Sequence, residues 1–185
     1  MKINRHGKAK VLNPSELARL MHELQNKPQD ACLFAICLFT GCRISEALQL
    51  TTSDITNTHI IFRKNTTKGK LKTRCIPIIP QLRPYLDAYH PKRPGFMFPG
   101  QCGRQSAWLT RNTADRKLRE ACRRAEIEGV STHSFRRTAL TYMYRDGIPT
   151  RTIMEISGHT NLTTLQEYLD VLPEHVEIAL HSISF

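Results

Sequence analysis

The chain has 185 residues, of which 40% are hydrophobic, and this size and composition suit one folded domain with a buried core. Its formal net charge of +11 predicts a polyanionic partner, because basic charge at this density attracts and holds phosphates. The longest apolar stretch, residues 31–42, is shorter than the roughly 20 residues of a bilayer span, and the N-terminus lacks a secretory apolar segment. We therefore expect a cytoplasmic protein without a membrane partner.

The first half of the chain is predicted to begin with three helices. Asn13, Pro14 and Glu16 have the pattern of an N-cap, a first-turn proline and a capping-box acid, which opens a helix through about residue 24. A buried helix over 29–40 follows. Gly41 is a plausible C-cap, so Arg43 should sit at the break before a short helix that runs through residue 50.

The rest of the chain is predicted to contain one β-hairpin and further helices. Residues 59–63 and 74–78 read as strands joined by a basic loop around Gly69. The proline- and glycine-rich stretch 91–103 reads as a loop. Predicted helices cover 82–89, 112–125, 132–146, 150–157, a short segment ending at 168, and 173–183. The fold class expected is mainly α with a small β-hairpin or sheet, an α+β domain.

Six cysteines are scattered along the chain without a C-x-x-C pair. Cysteines with this spacing are usually small core residues in a reduced state rather than zinc ligands. We therefore expect no metal site.

Three short segments carry the chemistry. They are Thr40-Gly-Cys-Arg-Ile-Ser-Glu46, His133-Ser-Phe-Arg-Arg-Thr138, and Gly158-His159 with a tyrosine, Tyr168, nine residues after the histidine. In order and spacing they resemble the catalytic motifs of tyrosine recombinases, the phage integrase family. The resemblance covers most of the chain, and it implies a catalytic domain that cuts and rejoins DNA through a 3′-phosphotyrosine.

The resemblance implies a role for each motif residue. Tyr168 is the expected nucleophile, and Arg43, His133, Arg136 and His159 are the expected phosphate-binding and proton-handling groups. A free phenol has a pKa near 10, so only about 0.1% is phenolate at neutral pH, and neighbouring cations are needed to lower that cost. Arginine suits the phosphate, because its planar fork of donors matches the equatorial oxygens.

The helical spacing adds two expectations. His133 and Arg136 are three residues apart on a predicted helix and should project to one face. Arg137 is turned away by about 100° and is expected to pair with an acid or to contact the DNA backbone. Glu46 matches the acidic position three residues after Arg43, where a carboxylate can hold a site cation in place.

A general acid must protonate the departing 5′ oxygen, and the resemblance implies a lysine on the hairpin. Lys68 matches best, while Lys70 and Lys64 remain open. The surrounding cations are expected to contact DNA phosphates; these candidate DNA contacts are Lys64, Lys70, Lys72, Arg74, Arg111 and Arg137.

The expected organisation is a basic arm over 1–12, a catalytic domain over 13–172 and a tail over 173–185. The tail has no Lys or Arg, so it cannot hold DNA phosphates, and we expect it to pack either on its own core or on a neighbouring protomer. Most family members carry a further helical DNA-gripping domain, for which the residues before Thr40 leave no room. The chain is therefore either a fragment or similar to small invertase-like members, and Met1 mildly favours a complete chain.

The expected partners are double-stranded DNA and further copies of the chain, as a tetramer on paired sites, with DNA-bending accessory proteins as an option. No cofactor is expected, because the phosphotyrosine conserves the bond energy. Two alternatives stay open: a type IB topoisomerase-like strand transferase and a DNA-binding module without catalysis. A metal-dependent nuclease is disfavoured, because only Glu46 is a well-placed carboxylate near the motifs. The target site and the outcome, whether integration, excision, inversion or resolution, are not encoded in these patterns.

Overall fold

The computed structural model describes residues 8–64, 72–100, 108–169 and 181, and this part of the chain folds into helices and one two-stranded sheet. The elements run in chain order as α1 (Pro14–Gln25), α2 (Pro28–Thr40), α3 (Ile44–Leu48), a 3₁₀ turn (Thr52–Asp54), β1 (His59–Phe62), β2 (Arg74–Pro77), α4 (Arg83–Asp87), α5 (Arg111–Arg124), α6 (Thr132–Arg145), α7 (Thr150–Ser157) and α8 (Leu162–Gln166).

The start of α1 is fixed by a capping box. The side chain of Asn13 accepts from the Glu16 N–H at 2.8 Å, and the Glu16 carboxylate accepts from the Asn13 N–H at 3.2 Å. Each group satisfies a backbone donor that the first turn leaves unpaired. The predicted start of this helix is confirmed.

Helix α2 is the centre of the core. Its residues 30–38 are all buried, and it packs against α1, α3, α4 and α6. A helix that is apolar on every side belongs in the interior of the domain. Gly41 ends it in the left-handed conformation with φ of 60°, and a Cβ there would lie 3.2 Å from Leu140. The turn therefore needs a residue without a side chain, and it sets Arg43 at the N-cap of α3, directly before the first helical residue.

Strands β1 and β2 pair in antiparallel register, with Phe62 opposite Arg74 and His59 opposite Pro77. Alternate residues of β2 are buried, which turns Arg74 and Ile76 inward and leaves Cys75 exposed. The hairpin predicted at this position is confirmed. The expectation that the cysteines are core residues holds for Cys32, Cys37, Cys42 and Cys122 and fails for Cys75, while Cys102 lies outside the described residues.

The segment before α1 is docked on α6. The buried Leu12 N–H donates to the Thr138 hydroxyl at 2.9 Å, and the Tyr142 hydroxyl donates to the Leu12 carbonyl at 2.8 Å. These bonds hold the segment against α6. Helix α6 is consequently enclosed on nearly all sides, and residues 134–141 are all buried.

Helix positions agree with the sequence-based expectations, with differences of a few residues at the ends. The short helix expected to reach residue 50 stops at Leu48, and the 3₁₀ turn was not anticipated. The predicted helix over 173–183 and the tip of the hairpin fall outside the described residues. No helix in the described part of the chain is long and apolar enough to cross a membrane.

The docking of the 8–12 segment yields a stability prediction. Thr138→Val keeps the shape of the side chain but leaves the buried Leu12 N–H without its acceptor, which should lower the free energy of unfolding by about 1–3 kcal/mol. Urea denaturation measures the change. Thr152→Val, an exposed threonine on α7, is the matched control and should change stability by less than about 0.5 kcal/mol. Equal stabilities for the two variants would contradict the docked arrangement.

Candidate active site

Four parts of the chain that are distant in sequence meet at one place. They are the turn between α2 and α3 together with α3, the inner face of β2, the first half of α6, and the segment from the end of α7 to the residues after α8. The side chains that they bring together are Arg43, Glu46, Arg74, Arg136, His159 and Tyr168.

Arg136 lies at the centre of this cluster and is only 1% exposed. Its Nη1 donates to the carbonyls of Gly41, at 2.5 Å, and of Ser157, at 2.9 Å. Burial, followed by repulsion from Arg43, lowers the pKa of the Arg136 guanidinium to about 10. The group therefore stays charged at neutral pH.

Glu46 is shared between two arginines. Its carboxylate accepts from the Arg74 Nη2 at 2.9 Å and from the Arg43 backbone N–H at 2.8 Å, while the Arg43 Nη1 is 3.4 Å away. The carboxylate is 1% exposed, so these contacts replace its hydration. Glu46 thus holds cations in place, as its spacing from Arg43 predicts, and Arg74 is the nearer of the two.

Gly158 leaves room for the guanidinium of Arg74. It ends α7 with φ of 71°, and a Cβ there would lie 2.9 Å from the Arg74 Nε. Both the left-handed backbone and the close guanidinium exclude a side chain at this position. The glycine of the Gly-His pair therefore shapes the site besides ending the helix.

His159 is 6% exposed and is held by a chain of directed hydrogen bonds. The Ser157 hydroxyl donates to the Ile153 carbonyl at 2.6 Å, so its oxygen is left to accept from His159 Nδ1 at 2.8 Å. The Arg136 Nη2 is 2.9 Å from Nε2. This pattern assigns the proton to Nδ1. Burial, then the charges of Arg136, Arg43 and Arg74, lowers the pKa of His159 to about 3, so the ring is neutral.

Tyr168 follows α8 and is half-buried against the same groups. Its ring centroid lies 5.4 Å from that of His159 and 5.7 Å from the guanidinium carbon of Arg136. The Thr141 hydroxyl donates to its backbone carbonyl at 3.2 Å, which ties the turn to α6. Tyr168, nine residues after His159 in the sequence, therefore lies next to the histidine ring in the structure.

His133 lies one turn before Arg136 on α6, nearer the surface. Its Nε2 is 3.1 Å from the Arg111 Nη2 at the start of α5. Arg111 is itself exposed. This contact joins one expected site residue to one expected DNA contact at the rim of the cluster.

The remaining expected DNA contacts divide into two groups. Lys64 and Lys72 are exposed, and Lys72 forms an ion pair with Glu155 at 2.8 Å. Arg74 and Arg137 are only 6% and 7% exposed, and this burial is against the expectation that they contact DNA. Lys68 and Lys70 lie outside the described residues.

Each buried arginine has a physical reason for its position. Arg74 shares the inner face of β2 with Ile76. Arg137 donates to the Ala9 carbonyl at 2.5 Å, because the docked 8–12 segment covers the side of α6 on which it lies.

Sequence patterns did not predict the roles that two site residues have in the structure. Arg74 was grouped with the hairpin cations, although its spacing of two from Ile76 placed it on the inner face of a strand. Ser157, two residues before His159, carried no signal that sequence patterns reveal. Among the described residues, no group of three or more His, Cys, Asp or Glu is placed to hold a metal ion.

The comparisons agree with this geometry. The phage integrase family profile matches residues 10–175. A tyrosine recombinase of Thermosipho africanus (strain TCF52B) is 32% identical over 152 residues, which cover 80% of this chain and 51% of the relative. The crystal structure of XerA recombinase superposes with a TM-score of 0.78 at 21% identity, covering 97% of this chain and 66% of that one.

The catalytic domain of bacteriophage HP1 integrase superposes with a TM-score of 0.68 at 27% identity, covering 94% of this chain and 95% of that domain. The fold is thus that of a tyrosine recombinase catalytic domain. The chain belongs to the phage integrase family, and it spans about half the length of curated relatives such as the Thermosipho recombinase.

The low pKa of His159 predicts a pH-dependent stability. Below pH 6.5 the unfolded chain binds a proton at this histidine that the folded chain does not take up until about pH 3. The folded state should therefore lose about 1.4 kcal/mol per pH unit from this group across that window as the pH falls. His159→Gln removes the contribution. Urea unfolding measures the difference in free energy of unfolding between this variant and the parent. As the pH falls from 7.5 to 5, that difference should shift by about 2 kcal/mol in favour of the variant. A difference that is constant with pH would contradict the buried neutral ring.

Proposed function

We propose that this chain is the catalytic part of a site-specific DNA recombinase, which cuts and rejoins DNA through a 3′-phosphotyrosine. The observation that carries the proposal is the charge around Tyr168. Three arginines surround one carboxylate, which leaves an excess of two positive charges among the described residues next to the tyrosine ring. A buried cationic cluster of this kind is unfavourable alone and favourable around an anion.

A scissile phosphodiester is the anion that suits this cluster. The attack on phosphorus places additional negative charge on the equatorial oxygens, and guanidinium forks bind such oxygens in pairs. Arg43 and Arg136 are proposed to bind the phosphate. Arg43 is 18% exposed at its side chain, and its position at the rim makes it the more accessible of the two.

Tyr168 is proposed as the nucleophile. Its ring lies within 5.7 Å of the Arg136 guanidinium, and a nearby cation favours phenolate character as the bond to phosphorus forms. The phosphotyrosine bond conserves the energy of the broken phosphodiester, so rejoining needs no nucleotide cofactor.

The two histidines are proposed to have different tasks. His159 is neutral with an unprotonated Nε2 directed at Arg136, which suits a group that orients the guanidinium and accepts a hydrogen bond. His133 lies nearer the surface beside Arg111, where it is available for proton transfer at the reacting phosphate.

Lys68 is proposed as the general acid for the departing 5′ oxygen, with Lys70 and Lys64 as the other candidates. The loop that carries Lys68 leaves the sheet beyond the pair formed by Phe62 and Arg74. Arg74, the residue of this pair on β2, contacts Glu46 in the cationic cluster.

Double-stranded DNA is the proposed substrate, and exposed Lys64, Lys72 and Arg111 are proposed to contact its backbone, together with Lys70 on the loop. A tetramer on two paired sites, with the 173–185 tail packing on a neighbouring protomer, is the proposed assembly. Nucleoid association in the cytoplasm would follow from acting on chromosomal DNA. Membership of the phage integrase family favours this function over that of a topoisomerase.

The proposal is tested by trapping the covalent intermediate. A pool of nicked duplexes, randomised around the nick, allows the cleaved fragment to diffuse away and leaves the protein attached to DNA. Adducts recovered in EDTA and sequenced would identify the preferred site. The adducts of the wild-type chain should be enriched in one defined DNA sequence. Adducts without sequence preference would favour a topoisomerase, and binding without adducts would favour a non-catalytic module.

Tyr168→Phe should abolish the adduct and leave DNA affinity nearly unchanged, because only the attacking oxygen is removed from a ring that still packs. Denaturing gels measure attachment, and gel shifts measure binding. Tyr142→Phe is the matched control: it removes a phenol hydroxyl that bonds the Leu12 carbonyl, and it should still form adduct. Persistent attachment by Tyr168→Phe would refute the assignment of the nucleophile.

The general acid is identified with a modified leaving group. Lys68→Ala should slow cleavage of an ordinary nicked site and should be restored by a bridging 5′-thiolate substrate, because a thiolate leaves without protonation. Single-turnover rates on both substrates measure the rescue. Lys70→Ala is the matched variant on the same loop. Rescue seen for Lys70→Ala instead of Lys68→Ala would move the role to Lys70.

A further inference from the structure

Resting on the proposed function, we propose that Arg74 is a positioning residue of the active site. It neutralises the Glu46 carboxylate, so that the guanidinium of Arg43 remains available for the DNA phosphate. It also fixes the base of the lysine-bearing hairpin to the end of α7, which carries His159.

The contacts of Arg74 reach three different elements. Its Nη2 donates to Glu46 on α3 at 2.9 Å, and its Nη1 donates to the Ile156 carbonyl on α7 at 2.6 Å. The guanidinium lies over the ring of Phe62 on β1, 5.0 Å from the centroid, and directly beside Gly158. The Arg74 guanidinium thus connects the hairpin to α3, which carries Glu46, and to the end of α7, which precedes His159.

The geometry requires an arginine. The two nitrogens of the fork bind partners on separate helices, while the flat face rests on an aromatic ring. A lysine ammonium has no second nitrogen and no plane to stack, so it can bind Glu46 or the Ile156 carbonyl but cannot reproduce the whole arrangement. The absence of a side chain at Gly158 provides the space that this fork occupies.

The electrostatic argument follows from the burial of Glu46, which is 1% exposed. A buried carboxylate without its nearest counter-ion draws in any other cation within reach. Arg43 is that cation: its Nη1 already lies 3.4 Å from the carboxylate, the one hydrogen bond of its guanidinium within the described part of the chain. Without Arg74, the Arg43 guanidinium would be drawn onto Glu46 and away from the phosphate.

This role differs from that of a DNA contact. An arginine that contacts the DNA backbone outside the reacting phosphate is expected to be exposed, and its loss should weaken DNA affinity and reduce the salt slope by about 1. Arg74 is 6% exposed with its donors directed inward. Its loss should therefore affect cleavage and leave DNA binding unchanged.

The experiment compares Arg74→Met, Arg74→Lys, Glu46→Gln and the double variant Arg74→Met/Glu46→Gln. Arg83→Met, at a partly exposed arginine that pairs with Asp87 on α4, is the control. DNA affinity is measured against salt. Covalent attachment is measured in single turnover at saturating nicked DNA, at a temperature where circular dichroism shows every variant folded.

Arg74→Met should cleave about 100-fold more slowly at saturating DNA, with unchanged affinity and salt slope. Arg74→Lys should be intermediate, and Arg83→Met should match the wild type. Removing the Glu46 charge should restore part of the loss, so the double variant should cleave about 10-fold faster than Arg74→Met. Wild-type cleavage by Arg74→Met, a weakened salt slope, or no recovery in the double variant would each overturn the proposal.

Thermal unfolding of the same variants separates this inference from the proposed function. If the wild type forms no adduct with any nicked site, the recombinase proposal fails by itself. The link between Arg74 and Glu46 is then judged by stability alone. Less than additive destabilisation in the double variant supports the link, and strictly additive destabilisation overturns it.

Discussion

The site depends on one buried cation. Arg136 donates from a single nitrogen to the carbonyls of Gly41 and Ser157, at the C-terminal ends of α2 and α7. Helix C-termini carry unpaired carbonyls and a partial negative charge, so one guanidinium satisfies both ends together. Because Arg43 follows the first helix end and His159 follows the second, this bridge sets the distance between two motifs that are more than one hundred residues apart.

The arginines of the site repel one another, and a bound anion can offset this unfavourable electrostatic energy. Arg43, Arg74 and Arg136 surround Glu46, and their mutual repulsion helps to lower the pKa of Arg136. The buried Nε of Arg136 has no hydrogen-bond partner within the described part of the chain. A fold selected for stability alone would place apolar groups here. An unbalanced buried cluster is typical of a site that is organised before its anion arrives, and this supports a role in phosphoryl transfer.

Local sequence patterns predicted the helices and strands, whereas the burial of individual side chains depends on long-range packing that these patterns do not describe. The Asn13 capping box and Gly41 predicted helix ends correctly, because caps involve only neighbouring residues. The expected outward position of Arg137 rested on a 100° turn from Arg136, which assumes that α6 has an exposed side. The 8–12 segment covers that side through bonds that span more than one hundred residues, and no local pattern encodes them.

The same limit explains the two kinds of basic residue. Basic character alone placed Arg74 with Lys64, Lys72 and Arg111 among the candidate DNA contacts, whereas the structure leaves the last three exposed and buries Arg74 in the interior with Arg136. In the proposed function, only the exposed group can release counterions when DNA binds, so it would set affinity and its dependence on salt. The interior group would act at the reacting phosphate, Arg136 by binding it and Arg74 by holding Glu46. Affinity and chemistry would then be carried by different arginines and lysines, and each could change without the other.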